Sequence, residues 1–146
     1  MARIESSIIV SQSINEIFGF LSRCESHLKF IPRMTQLEQE TDGAFGKVGT
    51  RLSGMLNYFG IRIPVRYELI EVEPIRRLAM KGQMGPVHFK DGYILNPGQH
   101  GTQIHFWLEL QPTGWAVLMR PFAGVIGRIH AYETLRNLKR VLHGNR

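Results

Sequence analysis

Along residues 61–69 every second position is apolar: Ile61, Ile63, Val65, Tyr67 and Leu69, with Arg62, Arg66 and Glu68 facing the other way. Ile104, Phe106, Leu108 and Leu110 repeat this pattern against Gln103, His105 and Glu109. Period two with one apolar face predicts antiparallel strands in a sheet that packs on one side only. Turn residues divide the middle of the chain into six such runs, at about 34–41, 48–56, 61–72, 76–84, 87–95 and 102–110. The punctuation is Asp42-Gly43 with Gly46, Asn57 to Gly60, Glu73-Pro74, Gly85-Pro86, and Asn96-Pro97-Gly98 with Gly101. A further strand opens the chain at residues 3–10 and ends in Ile8-Ile9-Val10.

Two short helices are predicted after that first strand. Ser13-Ile14-Asn15-Glu16 has the form of a capping box, in which the Ser13 hydroxyl accepts from the Glu16 amide. Ile14, Ile17, Phe18 and Leu21 then share one helical face. A second helix from Glu25 to Phe30 must end before Pro32, because a residue preceding proline disfavours helical geometry. The C-terminal series Phe122, Val125, Ile129, Tyr132, Leu135, Leu138 and Leu142 is spaced three or four apart. It predicts one long helix over residues 118–142, with Ile129 and Leu138 buried. Pro121 is tolerated only in the first turn, so the start falls near Leu118 to Arg120. A half-buried sheet and a helix with an apolar stripe complement each other. The expected fold is α+β: a curved antiparallel sheet of about six to seven strands wrapped around the long C-terminal helix. Without repeats or linkers, residues 1–146 are read as one domain.

Composition narrows the class. Apolar residues make up 43% and charged residues 21%, which argues against disorder. No apolar run approaches about 18 residues, and the N-terminus lacks the core of a signal peptide, so a cytosolic location is expected. Cys24 stands alone, which excludes an internal disulfide and a cysteine-based zinc site. Net charge is +6, and five of those units fall in residues 117–146, where six cations face Glu133 alone. That basic segment is read first as a solvated helix face whose cations suit the helix C-terminus. Attraction of anionic lipid or nucleic acid is the alternative, with nucleic acid the less expected partner.

The order strand, two short helices, six strands, long helix resembles the START-like (SRPBCC) helix-grip superfamily, in its polyketide cyclase/dehydrase and lipid-transport branch. Ser13-x-x-Glu16-Ile17-Phe18, Phe30-Ile31-Pro32, Gly46-Lys47-Val48-Gly49-Thr50-Arg51 and Gly101-Thr102 carry the resemblance, which covers essentially the whole chain. It implies a cavity between sheet and helix that holds an apolar or amphipathic molecule. On the sheet the expected lining is Leu52, Ile63, Val65, Tyr67, Met80 and Phe89, followed by Tyr93, Phe106 and Leu108. The helix would add Phe122, Ile126 and Ile129. Gly54, Gly82 and Gly92 sit inside strand-like runs, as kinks of a curved sheet would. Gly124 and Gly127 either let the helix pack closely on a strand or leave room at the cavity mouth.

Candidate chemistry is sparse. The sequence has no nucleophile motif, phosphate loop or dinucleotide fingerprint, and no cofactor or metal is expected. The lone GxxG of Gly43-Ala44-Phe45-Gly46 reads as a turn, and the six scattered histidines read as surface residues. Asp91 is the exception. It occupies an inward position between Phe89 and Tyr93, where a carboxylate could hold a ligand hydroxyl or act as a base. A bulge at Asp91-Gly92, or pairing with Arg62 or Arg66, would instead turn it away. Tyr67 and Tyr93 could supply hydroxyls beside it or serve as core residues. The cluster Trp115 to Phe122 is expected to close the open end of the cavity, with transient docking on a membrane or protein as the alternative. Three functions remain open at this point. The first is binding of a hydrophobic small molecule such as a lipid, quinone or polyketide-like compound. The second is a cyclase or dehydratase using Asp91 with Tyr67 or Tyr93, and the third is an interaction module without a ligand.

Overall fold

In a computed structural model of the chain, residues 2–42 and 45–144 are described. The strands are β1 (Ala2–Val10), β2 (Met34–Gln39), β3 (Arg51–Tyr58), β4 (Ile61–Glu73), β5 (Arg77–Met84), β6 (Val87–Gly98) and β7 (Gly101–Pro112). All pairings are antiparallel, in the order β1-β7-β6-β5-β4-β3-β2. β1 and β2 therefore lie at opposite edges. The helices α1 (Ile14–Leu21) and α2 (Cys24–Phe30) carry the chain from one edge to the other.

Turn chemistry sets the strand ends. At the β3–β4 hairpin Phe59 and Gly60 take positive φ of 54° and 87°, and the Gly60 amide donates to Asn57 Oδ1 at 2.8 Å. β3 begins at Arg51 and not at 48, because Gly46 and Gly49 hold φ of 110° and 95° and bend the chain before it. Gly43 and Ala44, part of the expected first turn and of the GxxG, lie outside the described residues. The capping box forms, with the Glu16 amide donating to Ser13 Oγ at 3.2 Å.

The long helix α3 (Arg120–Gly144) follows a 3₁₀ turn over Gly114–Met119. It packs against β1, β7 and α2 through Gly127, Ala131, Thr134, Leu135, Leu138 and Leu142. Gly127 is there because of close approach: a Cβ on it would come within 2.3 Å of Ile4 Cδ1. Of the two readings of this glycine, close packing on a strand is the one observed. Polar links fix the helix at its flanks. Asn137 Nδ2 donates to the Phe30 carbonyl at 3.2 Å, Arg33 pairs with Glu133 at 3.2 Å, and buried Gln12 donates to the Leu142 carbonyl at 2.7 Å.

One expectation fails here. Leu138 is fully buried, but Ile129 is 51% exposed, and Phe122, Val125, Ile126 and Tyr132 are exposed with it. From Phe122 to Leu142 the apolar series takes six steps over 20 residues, about 3.3 per step against 3.6 per turn. Such a series winds around the helix and ends nearly opposite its start. Its C-terminal members reach the core and its N-terminal members face solvent.

Candidate functional site

Strand alternation aims Asp91 at the core. β6 runs in unbroken register with both neighbours, and Asp91 lies opposite Met80 on β5 and Leu108 on β7, both buried. No bulge turns it outward. Arg62 and Arg66 are exposed, and among the described residues no ion pair includes Asp91. The residue is 7% exposed, and its Oδ1 is sealed from solvent without a hydrogen-bond partner. Burial alone pushes its carboxyl up to about pKa 7. A buried carboxyl oxygen without a partner is a standing cost to the fold, since buried polar atoms are nearly always satisfied.

Both candidate tyrosines are close enough to feel its charge. Burial, then Asp91, raises the phenols of Tyr67 and Tyr93 above their ordinary value. The Tyr67 ring meets Phe89 edge-on at 5.3 Å. The two residues flank Gly82 in the strand register, and Gly82 must lack a side chain because a Cβ would come within 2.4 Å of the Phe89 ring. Tyr93 packs on Phe106 at 5.1 Å and on Phe30 at 6.1 Å. The result is an acid that titrates near neutrality, set among phenols and apolar walls. It can accept a proton from a ligand hydroxyl or donate one to a ligand carbonyl.

The sheet residues of the expected lining come together. Leu52, Val65, Tyr67, Met80, Tyr93, Phe106 and Leu108 belong to one buried cluster, with Ile63 and Phe89 only partly buried. Phe122, Ile126 and Ile129 do not join that cluster and stand exposed on α3. Trp115 and Leu118, expected to close the cavity, are 72% and 81% exposed, and the 3₁₀ turn that carries them buries only Ala116. A separate groove of about 680 Å³ is lined mainly by outward side chains, among them Arg51, Arg66, Glu68, Lys81, Lys90 and Glu109. Leu52, Tyr67 and Phe89 also touch it.

The histidines need a correction. His27 is fully buried on α2, between Phe30 at 5.3 Å and Tyr93 at 6.2 Å. Its Nε2 lies 2.8 Å from the Leu21 carbonyl, an acceptor, so Nε2 carries the proton. Nδ1 is left as a second sealed and unpartnered acceptor. Burial lowers its pKa to about 4, against the smaller opposing effect of the Leu21 carbonyl. His130 is also lowered to about 4, chiefly by burial, and it lies partly buried on α3. The available sequence signal for His27 was its spacing of three from Phe30, which puts both on one helical face. His88 and His105 sit on adjacent strands but far apart in register, opposite Gln111 and Ile94. Among the described residues no cluster of ligating side chains could hold a metal, and no helix is long and apolar enough to cross a membrane.

The sequence matches the family described as "Polyketide cyclase / dehydrase and lipid transport" over residues 1–143. No curated protein matches it. Among solved structures, a Thermus thermophilus protein superposes with a TM-score of 0.80 at 15% identity, covering 99% of this chain and 100% of the other. A conserved protein from Geobacillus kaustophilus gives 0.79 at 15%, covering 98% and 96%. The ZhuI aromatase/cyclase from Streptomyces sp. R1128 gives 0.78 at 10%, covering 94% and 91%. At these identities the likeness establishes the helix-grip fold.

Proposed function

This chain belongs to the polyketide cyclase/dehydrase and lipid transport family, and from that premise we propose that it binds a hydrophobic small molecule between the concave sheet face and α3. The molecule is lipid-, quinone- or polyketide-like and carries at least one polar group. The observation that carries this reading is the unpartnered Oδ1 of Asp91. An apolar ligand with one hydroxyl or carbonyl satisfies that atom while covering the partly open Ile63 and Phe89. Ile126 stands at the approach from the helix side, whereas Phe122 and Ile129 face away from the sheet. Sites of this type combine apolar walls with few polar groups.

A second reading is favoured by one feature, the acid near pKa 7 beside Tyr67 and Tyr93. It is the acid–base equipment of a cyclase or dehydratase, and the Streptomyces structural relative is named an aromatase/cyclase. Titration of a lipophilic fluorescent probe, together with a turnover assay on a polyketide-like substrate, each with wild type and Asp91→Asn, separates the two readings. A binding protein keeps its affinity within about tenfold, since apolar contacts dominate. An enzyme keeps binding but loses most turnover of a polyketide-like substrate, because an amide does not accept the proton. Failure of the wild type to take up any lipophilic probe overturns both.

A further inference from the structure

The apolar residues of α3 that miss the core form a face of their own. Phe122, Val125, Ile129 and Tyr132 follow one another at steps of three or four, so they line the side of the helix away from Gly127 and Leu138. All four are exposed, and Trp115 and Leu118 extend the surface through the 3₁₀ turn. The same spacing continues into Arg136, Lys139, Arg140 and His143, also exposed. This outward face is thus apolar over its first half and cationic over its second. Residues 114–132 contain no Asp or Glu, and Glu133, the one acid of α3, is engaged by Arg33 at 3.2 Å.

A second projection has the same character. Phe59, 98% exposed, and Ile61 form the tip of the β3–β4 hairpin, and no acidic residue occurs between Asp42 and Glu68. Arg33 ties this hairpin to α3, since its guanidinium lies 5.2 Å from the Tyr58 ring centre while it bonds Glu133. Large exposed apolar surfaces on soluble folds mark contact sites.

We propose that this face docks the protein on an anionic lipid bilayer. The apolar half enters the boundary between headgroups and acyl chains, and the basic half lies along the phosphates. A second copy of the chain fits less well. Parallel pairing of two such faces sets cation against cation, and antiparallel pairing sets cations against apolar side chains. A bilayer with anionic headgroups meets both halves. The proposal stands apart from the ligand reading, because docking needs no occupied interior.

The test is cosedimentation of the full chain with vesicles of phosphatidylcholine alone and of phosphatidylcholine mixed with phosphatidylglycerol. The expected result is binding to the anionic vesicles at least about a hundredfold tighter than to the neutral ones, weakening as salt is raised. The triple variant Trp115→Ser/Leu118→Ser/Val125→Ser changes exposed positions only. It is expected to keep the wild-type circular dichroism spectrum and lose anionic-vesicle affinity by about tenfold or more. Arg136→Gln/Lys139→Gln/Arg140→Gln is expected to lose most of the anionic preference, about a hundredfold. Absence of wild-type binding to anionic vesicles at low salt overturns the proposal, as does binding that the Ser variant leaves unchanged. A wild-type dimer that the Ser variant converts to monomer reassigns the face to a second copy.

Discussion

Asp91→Asn should make the protein more stable at neutral pH and nearly indifferent in acid. Burial raises the Asp91 carboxyl from 3.8 to about 7. Between those values the folded state keeps a proton that the unfolded state has released, so this group's contribution declines as pH rises from about 4 to about 7. A shift of roughly three units corresponds to about 4 kcal/mol at about 1.4 kcal/mol per unit. Asparagine mimics the neutral acid in size and cannot ionise. The variant should therefore match wild type near pH 4 and exceed it by up to about 4 kcal/mol above pH 8. His27, lowered to about 4, works in the opposite sense: its contribution is lost in acid and recovered as pH rises. His130 acts with it. Wild-type stability alone thus mixes opposing slopes, and the difference between the two proteins isolates Asp91. Urea denaturation of both across this pH range measures it. A difference that does not change with pH, or an Asn variant less stable than wild type at pH 8, would refute the argument, because the carboxylate would then have a partner.

Gly124→Ala, where a Cβ meets nothing within 4 Å, should be more stable than Gly127→Ala, where it would crowd Ile4, by about 1–3 kcal/mol in the same assay. Gly127→Phe should fail to fold cooperatively, since the displaced helix would take Leu135 and Leu138 out of the core; a normal thermal transition would contradict this. Removing residues 118–146 deletes the layer that covers β1 and β7, and the product should be insoluble or lack near-ultraviolet circular dichroism. Gln at Arg136, Lys139 and Arg140 should change stability by no more than about 0.5 kcal/mol, as none of the three cations forms an ion pair among the described residues.

The sheet was legible because its signals are local and redundant: period-two patterning in β4 and β7 and turn chemistry at every hairpin. Asp91 was legible for the same reason, as the one polar residue on an apolar parity. The helix was harder. Its extent could be read from periodicity, but a series averaging 3.3 residues per step can pass for a stripe while it winds away from the core. Gly127 left two readings open, and only the position of Ile4 on a strand more than a hundred residues away decides between them. His27 was missed because α2 is too short for its phase to be read with assurance. Its burial depends on Tyr93, contributed from the other side of the core.

Native mass spectrometry of the purified full chain tests the central claim most directly. The account predicts a non-covalent small-molecule adduct, or uptake of an added lipid or quinone with one-to-one stoichiometry. Ile126→Trp, at the exposed approach on α3, should reduce that uptake without unfolding the protein. A bare chain that takes up no lipid, quinone or polyphenol at any concentration short of aggregation would contradict it, and would leave the Asp91 carboxyl as a cost without a ligand to offset it.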